Sequence, residues 1–104
     1  MKIKTIIFAA IIGFTASNAA MADRFDDGVV AFIKGDSATA MKIWQPLAKE
    51  GNAEAQYHLG YMFQTGTGVK KDNKKALYWY NLAAKNGHGK ALVLAKVVER
   101  EMRH

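Results

Sequence analysis

Apolar residues recur every three to four positions through most of the chain, and short glycine-centred breaks interrupt that rhythm. Such spacing is the signature of helices that bury one face. The breaks are Gly35-Asp36, Gly51-Asn52, Gly87-His88 and a longer one from Gly66 to Asp72. In each short break the glycine suits the left-handed turn that ends a helix, and the next residue can cap the following helix. Asp36 and Asn52 are strong caps, and His88 is a weaker one. The breaks predict five helices, near 24–34, 37–50, 53–65, 73–86 and 89–102. Pro46 falls inside the second. It lacks an N–H and should kink that helix or loosen its first half.

The apolar stripes predict how these helices meet. Ala55, Leu59, Met62 and Phe63 share a face of the third. Ala76, Leu77, Trp79, Tyr80, Ala83 and Ala84 form a broad face on the fourth. Ala91, Leu94, Ala95, Val98 and Met102 line the fifth. Rings set opposite alanines and the mid-helix Gly60 predict close helix approach.

The first residues follow another pattern. Lys2 and Lys4 precede an apolar run from Ile6 to Phe14, and small residues end in Ala20-Met21-Ala22. That order is expected of a secretory signal peptide cut after Ala22. The run is too short for a stable membrane span. The expectation is therefore a signal peptide at 1–22 and one small domain at 23–104. The protein would be periplasmic or secreted by a bacterium, with no stable membrane anchor after cleavage. The chain contains no Cys. Disulfides, a catalytic thiol and a lipid anchor at the cut are thereby excluded, and packing alone must hold the fold. The net charge of +6 includes Lys2 and Lys4, which would leave with the signal. A modest basic balance tolerates anionic surfaces, while export argues against a nucleic-acid partner.

The chain also repeats itself. Between 38–55 and 74–91, Ala40 aligns with Ala76, Ala48 with Ala84, Lys49 with Lys85, Gly51 with Gly87 and Ala55 with Ala91. The constant offset of 36 residues, two helices per unit, is that of an α-solenoid. One unit carries a denser set of signals. Ala55, Leu59, Gly60, Phe63, Gly66, Gly68, Val69, Asp72, Ala76, Trp79, Tyr80, Ala83, Ala84 and Gly87 resemble, in type and spacing, the Sel-one-like repeat, a relative of the tetratricopeptide repeat. The resemblance implies an all-α fold: a short right-handed α-α superhelix of about five antiparallel helices. It divides the domain into a degenerate unit at 24–51 with a shortened turn, a full unit at 52–87 and a capping helix at 88–104. In this frame Gly66 and Gly68 form the turn between paired helices, Val69 tucks its side chain between them, and Asp72 starts the next helix. A phosphate loop would need G-x-x-x-x-G-K followed by a hydroxyl residue, and this stretch has neither that spacing nor the hydroxyl.

Candidate chemistry is sparse. His58, His88 and His104 lack the spacing of a metal site, so no metal or other cofactor is expected. Ser37 suits a helix cap and has no nucleophile elbow around it. Asp26-Asp27 opens a helix, and Glu99 and Glu101 alternate with arginines, so both acid pairs suit a solvated surface. Lys70, Lys71, Lys74 and Lys75 form the densest charge cluster, suited to a soluble turn or to an acidic partner. Glu54, His58 and Tyr61 lie off the core stripe of the third helix. First helices of such repeats line the concave side, so these three are the expected partner-binding residues.

The expected function is thus non-enzymatic: an exported repeat protein that binds a protein or peptide partner as adaptor or scaffold. Some exported family members resemble β-lactam-hydrolysing or penicillin-binding proteins. Those are cysteine-rich, and no S-x-x-K motif occurs in 23–104. An inhibitor of a toxic enzyme is a third reading that the sequence does not separate from an adaptor. Val93 and Val97 flank the last apolar stripe and predict a tendency to dimerise or dock end-on.

Overall fold

The computed structural model describes residues 20–103. The expected signal peptide lies outside the described residues except at 20–22. Five helices follow one another: α1 at 20–33, α2 Ser37–Lys49, α3 Ala53–Thr65, α4 Asn73–Lys85 and α5 Gly89–Met102. Among the described residues there is no strand. The fold is the expected all-α repeat stack.

Local chemistry sets each boundary. Gly35, Gly51 and Gly87 take positive φ values of 85°, 101° and 98°. At each, two backbone N–H groups turn back onto the last carbonyls of the preceding helix, as with Gly51 onto Ala48 and Asn52 onto Leu47. The residue that closes this motif then caps the next helix. Asp36, Asn52 and His88 accept from the N–H of Thr39, Ala55 and Ala91 respectively. Two residues therefore stop one helix and start another. The longer connection uses Gly66 (φ 72°) and Gly68 (φ 74°), and Asp72 caps α4 at Lys75 N–H. Val69 folds back onto the cluster formed by α2 and α3.

Two expectations need revision. Helix α1 is already helical at residue 20 rather than starting near 24. Ala20, Met21 and Ala22 are good helix formers, and Met21 packs on the core. Helix α2 runs unbroken through Pro46, without a loosened first half. The carbonyl that Pro46 leaves without a donor belongs to Lys42, and both residues are exposed, so water can satisfy it. The Pro46 carbonyl still accepts from Glu50 N–H at 3.1 Å.

The core comes in two clusters, one between α2 and α3 and one between α4 and α5. The first gathers Ala40, Trp44, Leu47, Ala55, Leu59 and Met62. The second gathers Ala76, Tyr80, Ala83, Ala91, Ala95 and Val98. Trp44 and Tyr80 occupy equivalent places 36 residues apart, and each ring lies on a helical glycine. A Cβ on Gly60 would fall 2.6 Å from the Tyr80 ring, and one on Gly28 would run into the Trp44 indole. The Trp44 indole N–H donates to the Phe25 carbonyl at 3.0 Å, and the Tyr80 hydroxyl donates to Gln64 at 2.6 Å. The same device, a ring seated on a glycine with its polar end satisfied, thus joins α1 to α2 and α3 to α4. Burial, with Tyr57 and Tyr61 adding to it, pushes the Tyr80 hydroxyl far above the ordinary phenol range, so it stays a donor.

The buried Gln56 ties the units together. Its amide donates to the Ala48 carbonyl at 2.9 Å and accepts from Asn86 at 3.0 Å. Helix α3 packs on both α2 and α4, and α5 on α4 with a lighter contact to α3. Phe25 meets His58 edge-on, which brings α1 beside α3. Helices α1, α3 and α5 therefore form one layer, with α2 and α4 behind it.

Candidate functional site

The open face of the α1–α3–α5 layer carries a row of rings. Phe32 and Trp44 have centroids 5.7 Å apart, Trp44 and His58 4.6 Å, and His58 and Tyr57 5.3 Å. Tyr57 then stacks on His88 at 4.3 Å with planes 12° apart. The row runs from α1 through Trp44, which reaches in from α2, and across α3 to the start of α5. Neighbouring rings fix one another, so the row is held before any partner arrives.

Two cavities open along it. One of ≈ 250 Å³ is walled by Val29, Phe32, Trp44, Tyr57, His58 and Tyr61. The other, ≈ 380 Å³, is formed by Glu54, Tyr57, Gly87, His88, Gly89 and Lys90. Tyr57 is the wall between them. The first is almost wholly apolar in its side chains. The second carries an acid, an imidazole and a lysine.

Glu54 organises the imidazoles. Its Oε1 lies 3.1 Å from His88 Nε2 and its Oε2 3.9 Å from His58 Nδ1. His88 Nδ1 accepts from the Ala91 N–H, so its Nε2 carries the proton that faces Glu54. His58 Nδ1 lies 2.8 Å from the Glu54 carbonyl, so that nitrogen is a donor. With these nitrogens engaged, the trio does not form a metal site. Among the described residues no group of His, Cys, Asp and Glu is arranged to hold a metal ion. No hydroxyl nucleophile is hydrogen-bonded to either imidazole in the described contacts. The arrangement orients side chains, and it displays them.

The structure therefore places Glu54, His58 and Tyr61 on the open face of α3. His58 and Tyr61 line the apolar cavity, and Glu54 lines the polar one. Tyr61 is 42% exposed, while Trp44 is 1% exposed. Sequence reasoning missed Val29, Phe32, Trp44, Tyr57 and His88 as walls. One signal for Trp44 was present: it stands 36 residues before Tyr80 in the repeat register.

A third cleft, ≈ 530 Å³, opens at the α3–α4 turn beneath Lys70, Lys71 and Lys75, with Met41, Phe63 and Val69 at its floor. The Lys75 ammonium sits 5.4 Å from the Phe63 ring centre. This accounts for part of the lysine cluster as cover for an apolar turn.

Comparison with known proteins identifies the unit that forms α3 and α4. Residues 53–88 match the Sel1 repeat. Protein sel-1 homolog 2 of Mus musculus is 40% identical over 79 residues, covering 76% of this chain and 11% of the relative. Chitin synthase regulatory factor 4 of Schizosaccharomyces pombe is 40% identical over 52 residues, covering 50% of this chain and 8% of the relative. Chitin synthase regulator SKT5 of Saccharomyces cerevisiae is 28% identical over 83 residues, covering 80% and 12%. The chain thus spans about a tenth of the length of these relatives. No solved structure matches it.

Proposed function

Because the chain belongs to the Sel1-repeat proteins, we propose that it is a non-enzymatic binding protein that grips a segment of another protein along the α1–α3–α5 layer. The carrying observation is the pair of adjoining cavities that share Tyr57. The apolar cavity of ≈ 250 Å³ lies below the ~300–1,000 Å³ of small-molecule sites, and suits one large apolar side chain. Such an anchor in a pre-formed aromatic pocket is the usual source of binding energy at a protein interface. The neighbouring Glu54, His88 and Lys90 would orient the flanking backbone and polar groups. Glu54, His58 and Tyr61 are then contact residues, and Trp44 and Tyr57 are pocket walls. The names of the fungal relatives describe regulators, which accords with action through a partner.

Export belongs to the same reading and rests on residues 1–22. The domain would then be residues 23–104, and cleavage after Ala22 would remove Met21 from the edge of the first cluster. Sequencing of the protein isolated from its producing cell should find Asp23 first.

The binding role is tested by a photoreactive residue placed at position 61 in the producing cell, with position 78 on the outer face of α4 as control. The reading predicts a discrete protein adduct from position 61 only, reduced at least about tenfold by Val29→Asp, which puts a charge in the apolar wall. Equal labelling from both positions, or none from position 61, would overturn it.

A further inference from the structure

The two ends of the stack carry complementary faces that binding along the inner layer does not use. Helix α1 turns Phe25, Gly28 and Phe32 inward, and at about 100° per residue its opposite face holds Asp23, Asp26, Asp27, Val30 and Ile33. All five are exposed, Ile33 at 77% and Val30 at 50%. The three acids occupy the N-terminal half of that face and the two apolar residues the C-terminal half.

Helix α5 is organised the other way round. Its core face is Ala91, Ala95 and Val98. Its opposite face exposes Leu92 and Val93 near the start and Arg100 and Arg103 near the end, with Lys96 and Val97 side by side between them. In both helices the apolar and charged groups are centred roughly six residues, or ~9 Å, apart along the axis. Laid antiparallel, α1 and α5 match acid to base and apolar to apolar in one register. Laid parallel, both matches fail. Two copies of α5 laid against each other would bring like cations together if parallel and set cations on apolar residues if antiparallel.

We infer that this protein assembles head to tail, with α1 of one copy docking antiparallel on α5 of the next. Neighbouring helices in this stack run antiparallel, and α1 of the next copy continues that alternation on α5. The interface joins two different surfaces, so assembly continues beyond a dimer.

The test is sedimentation velocity on protein expressed as the full chain and purified as the cell delivers it. The wild type should grow past dimer as concentration rises, and the association should weaken by about tenfold or more from low to high salt, as a screened charge contact must. The variants Asp26→Lys/Asp27→Lys and Lys96→Glu/Arg100→Glu should each remain monomeric with wild-type helical content. Mixed in equal amounts they should reassemble, because each then presents the face that the other lost. A strict monomer at every concentration, a closed dimer indifferent to both charge reversals, or a mixture that stays monomeric would overturn the inference. The salt series on the wild type decides the matter even if a variant fails to fold.

Discussion

Single atoms decide how closely these helices approach. Gly60 has no Cβ, and Tyr80 fills the space one would take. An exposed helical Gly→Ala change ordinarily gains up to ~1 kcal/mol. At Gly60 overpacking should reverse that sign and cost about 1–3 kcal/mol. Gly89 meets nothing within 4 Å, so Gly89→Ala should be neutral or slightly stabilising. Urea unfolding of the two variants separates them by sign. Asp36 gives a second residue-level prediction. Hydrogen bonds from the Thr39 hydroxyl and backbone N–H hold its carboxyl below the ordinary carboxylate range. A depressed folded value means its contribution is present above the unfolded value and lost as the pH falls through the folded one. Acid unfolding of Asp36→Asn should therefore show less loss of stability across that acidic window than the wild type shows.

At the scale of the helix, caps and rings carry different weights. Asn52 both closes the end of α2 and caps α3. Asn52→Ala should cost about 1 kcal/mol in thermal unfolding, the usual loss for a cap. Trp44 is buried against α1, and Trp44→Ala should cost about 3–5 kcal/mol. A domain this small rarely holds more than that in net stability. Far-ultraviolet circular dichroism should find Trp44→Ala largely unfolded, with Tyr78→Ala, 60% exposed, close to wild type. The helix boundaries were legible because they depend on neighbours in sequence: Gly35-Asp36, Gly51-Asn52 and Gly87-His88 each bond within a few residues. The start of α1 was less so, because Asp23, a residue type that often caps helices, lies inside this one. Pro46 was misjudged for another reason. Its cost depends on whether the Lys42 carbonyl faces water, and only the fold shows that.

Across the whole molecule, stacking turns a repeat into a surface. The stripe bearing Glu54, His58 and Tyr61 could be read from helical periodicity alone. The cavity beside it could not, because its walls come from three helices. The α1–α2 turn hides the equivalence further. It is four residues shorter than the α3–α4 turn, so Gly28 and Gly60 do not share the 36-residue offset that relates Trp44 to Tyr80. What joins α1 to α3 is ring contact, Phe25 on His58, rather than a sequence signal. The central claim is that this joined face, and not the outer one, receives the partner. Its most direct test is an amide chemical-shift titration of the labelled protein with the partner segment captured from position 61. The shifts should fall on Val29, Phe32, Tyr57, His58 and Tyr61 and extend to His88. Shifts confined to the outer face of α4, at Tyr78, Asn81, Leu82 and Lys85, would contradict it.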